Sequence, residues 1–411
     1  MNLRGDNMIS IKRSNRSIIL NLLHSYGQLS RKRLAEKMEL TSAAITFITR
    51  EMVAEGLLCE GGEQITEGAA GRREIPLMIS YDSFVALGVT INVGVAILSA
   101  TTLSGKSIFS ESVSFNANTP ATKTVQTLSQ KLLSIVAKYE LKREQIVGLG
   151  VSIRGIVDVY NAVSVRSFGA FNEKNIPLKS QFEKETGFPT AMDNNVRSMF
   201  RTHIYFTGES YASQLFIRCE RGIGGAVSAN GRIISGNQGK CAEVGHTPIV
   251  EKNGKLCACG KNGCLETIST RPAILDDVSA IYSIEETPIL YKATGGHIEN
   301  LNIEAVIQAA EAGDLATDSI VQNATSKLSF ILKAITYTLD PCGILVCGSI
   351  FEHEYYLESL RKHFAIGTET DSTTFIRKSN LNLELEEKAS CVIAIESFFE
   401  NGGMMPQNTS Q

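Results

Sequence analysis

A chain of 411 residues with 43% apolar residues, net charge −3 and a mean hydropathy of +0.01 has the make-up of a soluble globular protein with a large core, organised as two or three domains at roughly 150 residues each. It is not a polycation, its start lacks the apolar region of a signal peptide, and no run of about 18 apolar residues offers a membrane-spanning helix. Nine cysteines, an odd and scattered set, point to a reducing cytoplasm and not to a disulfide scaffold.

Charge is uneven. Residues 1–80 hold 11 Lys and Arg against 9 Asp and Glu, a net +2, while the remainder is net −5. In SNRSIILNLLHSYG, Ile18, Ile19, Leu22 and Leu23 recur at helical spacing and Gly27 stops the helix. Ser30 caps a second helix, RKRLAEKMEL, with Leu34, Ala35 and Met38 inward. Thr41 caps a third, SAAITFITREMVAEG, with Ile45, Ile48, Met52 and Val53 inward and Gly56 at its end. Two short strand-like runs around a Gly-rich turn follow. Three helices and a hairpin make a winged helix-turn-helix over 1–80. Its third helix would enter the major groove of double-stranded DNA with Ser42, Ala43, Thr46 and Arg50 outward. Ala and Thr methyls suit a thymine methyl. Arg31, Lys32, Arg33 and Lys37 would serve phosphates, and Arg72 and Arg73 of the GRR linker would reach an adjacent minor groove. The plainer alternative is a protein-interaction domain with solvated charges.

After Tyr81 the pattern becomes α/β. FVALGVTIN, VAILSATTL and KSIFSESVSF read as consecutive strands, TKTVQTLSQKLLSIVAKYE as an amphipathic helix, and IVGLGVSI as another strand. QLFIRCERGIGGAVSANGRIISG opens a second such unit. Two similar lobes, 81–193 with 381–402 and 194–380, would leave a ligand cleft between them. The helix at 323–339 is apolar over much of its surface and is a candidate for burial between subunits or in the core. Residues 283–300 read as an insertion without a motif, with His297 solvated. The helix at 385–401 should pack back onto the first lobe, and 403–411 form a disordered tail.

The densest chemistry lies in CAEVGH, ten residues, then CACGKNGCLE. His246, Cys257, Cys259 and Cys264 have the donor set of a structural Cys3His zinc site, with Gly260 and Gly263 letting the loop turn back. A disulfide or scattered buried thiols are the alternative. Glu243 and Glu266 flank the donors. Carboxylates accept bidentate hydrogen bonds from vicinal hydroxyls, and Glu243 and His246 are one helical turn apart.

These stretches, with GLGVSIRGIVD (148–158), MDNN (192–195), RGIGGAVSANGRIISG (221–236) and ILVCGSI (344–350), resemble the ROK family, which joins sugar-responsive repressors with sugar kinases. The winged head followed by GRR resembles its repressor branch, of the xylose and N-acetylglucosamine types. The resemblance implies a two-lobed actin-like ATPase (ribonuclease H-like) fold of the sugar-kinase type. It implies zinc on His246, Cys257, Cys259 and Cys264, and sugar hydroxyls on Asp193, Glu243, His246 and Glu266. Asp193 matches the kinases' general base and is read as a relict. Kinase members carry Asp-x-Gly-Gly-Thr where this chain has Thr90-Ile91-Asn92-Val93-Gly94, and Gly-Thr-Gly where it has Glu220-Arg221-Gly222, so both nucleotide loops look degraded. Arg154-Gly155 replaces a Pro-Gly, and Arg154 suits a sugar phosphate. The resulting expectation is a non-enzymatic repressor of carbohydrate genes, a homodimer or tetramer on its operator, tuned by a sugar or sugar phosphate. A kinase with an added DNA-binding domain and a repressor controlled by a sugar-transport protein are the alternatives.

Overall fold

A computed structural model describes residues 8–61, 74–209, 213–250, 252–381 and 383–405. The chain begins with α1 (Met8–Tyr26), β1 (Leu29–Ser30), α2 (Arg31–Met38), α3 (Ser42–Ala54), β2 (Leu58–Glu60) and β3 (Pro76–Ile79). Both expected caps are present: the Ser30 side chain accepts from Arg33 N and that of Thr41 from Ala44 N. The three short strands form one sheet in the order β1-β3-β2, completing the winged helix-turn-helix. One expectation for α1 fails. Ile18 is 44% exposed, whereas Arg16, Ile19, Leu20 and Leu23 are buried, because positions 16, 19, 20 and 23 share a helical face.

The first α/β sheet contains β4 (Val85–Ile91), β5 (Val95–Thr102), β6 (Ser107–Ser114) and, after α4 (Ala121–Lys138), β7 (Ile146–Ile153). A small sheet of β8 (Ile156–Asp158), β9 (Val163–Arg166) and β10 (Lys174–Ile176) precedes α5 (Leu178–Thr186), β11 (Thr190–Asn194) and α6 (Asn195–Thr207). The large sheet runs β11-β7-β4-β5-β6, antiparallel through the meander and parallel at β4, β7 and β11.

The second α/β unit has β12 (Ser213–Cys219), β13 (Ile223–Ala229) and β14 (Arg232–Ile234). Helices α7 (Glu266–Ser269), α8 (Arg271–Ile281), α9 (Pro288–Ala293), α10 (Ile303–Glu311) and α11 (Leu315–Leu339) follow, then β15 (Ile344–Cys347), α12 (Glu354–Ala365), α13 (Ser372–Phe375) and β16 (Ile376–Lys378). Its sheet order is β14-β13-β12-β15-β16, again a meander joined to parallel strands. The stretch 283–300 is more than an insertion: α9 buries Leu290, and the Asp314 carboxylate caps it through Ile289 N and Leu290 N. His297 is exposed, as expected. The chain ends with α14 (Leu383–Glu387) and α15 (Ala389–Glu400).

Helix α15 lies on the first sheet so closely that a Cβ on Gly150 would sit 1.7 Å from Ser390 O. The described chain divides into two compact units, one running to Gly208 and resuming at Leu383, the other starting at Glu209. The expected boundaries at 193/194 and 380/381 are therefore displaced. The reason is α6, whose Phe200 and Tyr205 are buried and which packs on α15. Nor do residues 1–80 stand apart. One continuous core holds Ile19, Leu20, Leu34, Ile45 and Met52 together with Phe84, Ala86, Tyr205, Val392, Phe398 and Phe399. The expected disordered tail also starts too early: Gly403 N donates to Phe398 O at 2.9 Å and Met405 packs on this core, while 406–411 lie outside the described residues.

Two polar clusters fix the joint. Arg16 is 1% exposed; its Nε donates to Gly402 O at 2.7 Å and one terminal nitrogen to Glu55 Oε1 at 2.8 Å, with the other also on Glu55. His24 stacks on Tyr205 with centroids 4.2 Å apart, and its ring nitrogens meet Tyr81 Oη at 2.9 Å and Tyr205 O at 3.1 Å. Burial lowers the His24 pKa, against a smaller opposing effect of the Tyr205 carbonyl. The unfolded chain therefore takes up this proton at a higher pH than the folded one. The His24 contribution is intact above the unfolded value of about 6.5 and is lost as pH falls from there toward the folded value. Urea midpoints measured from pH 7.5 to 5.5 should fall with pH, and His24→Gln should flatten that dependence; an unchanged slope in the variant refutes the assignment.

Candidate ligand, metal and DNA-reading sites

Strand register sets the first cluster. Ile91, Ile153 and Asn194 lie level across β4, β7 and β11. The 92–94 turn, Arg154-Gly155 and Asn195 therefore emerge together at the carboxyl ends of parallel strands, the edge where α/β sheets bind ligands. The Arg154 side chain is half-buried and has no ion-pair partner among the described residues. Asn194 is consumed locally: its Oδ1 caps α6 through Val196 N and Arg197 N, and its Nδ2 donates to Gly155 O.

Asp193 does not behave as a sugar acceptor or base. It is 2% exposed; Arg197 Nε lies 2.6 Å from Oδ1 and Arg201 Nε 3.1 Å from Oδ2, and Asn194 N adds a bond of 2.7 Å. Neighbouring strand residues face opposite sides, so Asp193 turns toward α6, where positions four and eight later bring both arginines. Arg201 also pairs with Glu396 of α15. The residue of this run left partly exposed at the sheet edge is Asn195, in the first turn of α6, which the sequence reading passed over. Its signal was the capping Asn194 just before it.

The two turns that the resemblance matches to nucleotide loops have their own fillings. Thr90 is buried, its hydroxyl donating to Ser390 Oγ at 3.1 Å, and Val93 stands 50% exposed at the tip of a tight turn closed by Asn92 N on Val95 O. In the second unit, Glu220 accepts from Ser349 N at 2.7 Å and Ser349 Oγ at 3.1 Å, with Arg271 at 3.3 Å. A carboxylate thus occupies the backbone donor that follows the Gly348 turn, and its charge disfavours a phosphate at the same place.

The expected metal donors converge. One ligand atom each from His246, Cys257, Cys259 and Cys264 lies within 4.8 Å of the others. Cys257 Sγ is 3.5 Å from His246 Nδ1, and Cys259 Sγ is 3.6 Å from Cys264 Sγ. Four donors about 2.3 Å from a tetrahedral zinc stand about 3.7 Å apart, so these residues fit the ion. Bound there, zinc would tie the loop together through three thiolates and one imidazole. The loop is shaped for it: Gly263, at φ 70°, faces Val250 O so closely that a Cβ would sit 2.1 Å away. Glu266 Oε1 reaches Cys257 Sγ at 2.9 Å and His246 Nδ1 at 3.3 Å. Glu243 precedes the single helical turn Val244–His246, and His246 N donates to its carbonyl at 3.1 Å, so both sit on one turn as expected. The hydrogen bond that Glu266 accepts raises the His246 pKa, so a proton and a metal compete for this imidazole.

On the winged domain, Ser42, Ala43, Thr46 and Arg50 are exposed along the outer side of α3, and Phe47 joins them at 65% exposure. Arg31 is differently employed: it donates to Thr49 Oγ1 at 3.1 Å and Glu60 Oε1 at 2.8 Å, bracing α2 against α3 and β2. Lys32 lies 3.5 Å from Glu74, Arg33 is exposed, and Lys37 sits over the Tyr26 ring at 4.1 Å. Arg72 and Arg73 lie outside the described residues.

The family model described as "ROK family" matches residues 87–377. The DNA-binding transcriptional dual regulator NagC of Escherichia coli is 27% identical over 361 residues, spanning 85% of this chain and 84% of the relative. The DNA-binding transcriptional repressor Mlc of Escherichia coli is 26% identical over 341 residues, 82% and 81% of the two chains, and the xylose repressor of Bacillus spizizenii is 24% identical over 355 residues, 85% and 86%. Among solved structures, a ROK family transcriptional regulator homologous to the Escherichia coli MLC protein superposes with a TM-score of 0.79 at 22% identity, over 95% of this chain and 97% of that one. A ROK family glucokinase from Streptomyces griseus, in complex with glucose and AMPPNP, superposes with a TM-score of 0.59 at 20% identity, over 76% and 98%.

Proposed function

The chain belongs to the ROK family, and from that premise we propose that it is a DNA-binding transcriptional repressor of carbohydrate-utilisation genes whose operator affinity is set by a sugar or sugar phosphate. The observation that carries this reading is the outer side of α3: a capped helix in a winged fold, presenting Ser42, Ala43, Thr46 and Arg50 to a partner. Glu243, His246 and Glu266 supply the sugar-facing groups, held in place by zinc on His246, Cys257, Cys259 and Cys264. The chain acts without phosphoryl transfer. Its Asp193 carboxylate is spent on Arg197 and Arg201, and Glu220 blocks the second loop. Phosphoryl transfer is mostly positioning and electrostatics, and neither loop offers a phosphate cradle.

Arg154 at the sheet edge, without an ion-pair partner among the described residues, favours a sugar phosphate over a free sugar, since a guanidinium binds phosphate bidentately. Two reading heads, and hence a homodimer, match a pseudo-palindromic operator with half-sites about one turn apart. Among the described residues no helix is long and apolar enough to cross a membrane. The test is an operator titration by fluorescence anisotropy across a panel of sugars and sugar 6-phosphates. At least one compound should shift the midpoint tenfold or more, and Arg154→Gln should weaken the response to the phosphate but not to the free sugar. An operator affinity that no carbohydrate moves would remove the effector from the reading.

A further inference from the structure

We propose that Phe47 reads a base: its ring packs on the 5-methyl group of a thymine in the major groove and so fixes a thymine in each operator half-site. The proposal rests on the repressor reading above and adds the residue and chemical group that set its specificity.

Phe47 is an anomaly in α3. The other large apolar residues of the helix core, Ile45, Ile48 and Met52, are buried, yet Phe47 is 65% exposed, and no aromatic ring of the described residues stacks on it. A Phe left in water forgoes most of its transfer free energy, so a site that covers it gains that energy on binding. Its neighbours say what covers it. Ala43 is one turn before it and Arg50 one turn after, with Thr46 alongside, all exposed. An aromatic standing alone among small and polar side chains is a poor anchor for a protein partner, which would meet a wider apolar patch. It suits a groove whose surface is mostly donors and acceptors with one apolar element. In the major groove of unmodified DNA that element is the thymine methyl. Ala43 allows close approach, and Arg50, without an ion-pair partner among the described residues, is free to meet a phosphate or a guanine edge.

The test uses the full-length protein. Duplexes bound by it are selected from a random library, and the thymines of the enriched half-site are replaced one at a time by uracil, which removes only the methyl. One replacement per half-site should weaken the wild type about fourfold, the value of one buried methyl group. Phe47→Ala should bind the thymine duplex more weakly and be indifferent to that same replacement, while Phe47→Leu should keep part of the discrimination. Because the side chain is exposed, all three proteins should unfold at the same temperature. Enrichment with no uracil effect at any position, or equal discrimination by Phe47→Ala, overturns the thymine contact and leaves the repressor reading standing. A wild type that enriches no duplex overturns both.

Discussion

Replacing Cys264 by Ser should strip the protein of bound zinc and destabilise its second α/β unit by at least about 3 kcal/mol. That is a fraction of the roughly 10–16 kcal/mol with which structural zinc holds small domains that have no other core. The fraction is small because this unit has a core of its own, around Leu215, Val306, Leu328 and Tyr356. It is not negligible, because Cys264 is fully buried and sits between two backbone anchors, its strand bridge to Pro248 and the bond from Thr267 N to its carbonyl. Glu266 lies two residues on, so a loosened Cys264 also frees the carboxylate proposed to meet the sugar. Elemental analysis of the wild type should give one zinc per chain, and the variant less than about a tenth of that occupancy. Urea unfolding gives the stability difference. Glu266→Gln separates the two roles: it should keep the zinc and the stability while abolishing the response to carbohydrate. A wild type purified without metal, yet as stable as after zinc addition, would defeat the assignment.

Arg16→Met should cost about 3 kcal/mol and abolish operator binding at temperatures where the wild type binds. The guanidinium is buried, but Glu55 is 48% exposed at its side chain and can return to water, which holds the cost at the lower end for a broken buried pair. The Gly402 carbonyl has no such escape, since Gly402 is buried, and it loses its charged donor. Methionine fills the volume of the stem, so the loss reports the polar contacts. Glu55 follows the last residue of α3, so the same change unfastens the reading helix. A loss below about 0.5 kcal/mol would mean that the joint is held by apolar packing alone.

What the sequence made legible was local. The caps at Ser30 and Thr41 depend on residues within a few positions of one another and took the predicted form, whereas sheet pairing such as Leu215 with Ile344 joins distant segments. Misreadings came where periodicity stood in for partners. Ile18 is apolar at a plausible helical position, but its burial depends on which face meets the rest of the fold. Asp193 was matched to a motif while its neutralisers, Arg197 and Arg201, stood four and eight residues further on; their significance needed the direction of β11. The boundary at 193 failed because α6 follows its own strand yet packs on a helix nearly 200 residues later. The bond from Arg16 to Gly402 spans 386 positions, and no local pattern encodes it.

That span bears on synthesis. Domains made first usually fold first as the chain leaves the ribosome. Here the reading head shares its core with Val392, Phe398 and Phe399 and has Arg16 anchored on Gly402, so its supports are translated up to 386 positions after Arg16. A nascent or prematurely terminated chain carries the recognition helix without the joint that steadies it. A head cut away from α15 should therefore lose part of its core, and it is not a cassette to be transplanted without that helix.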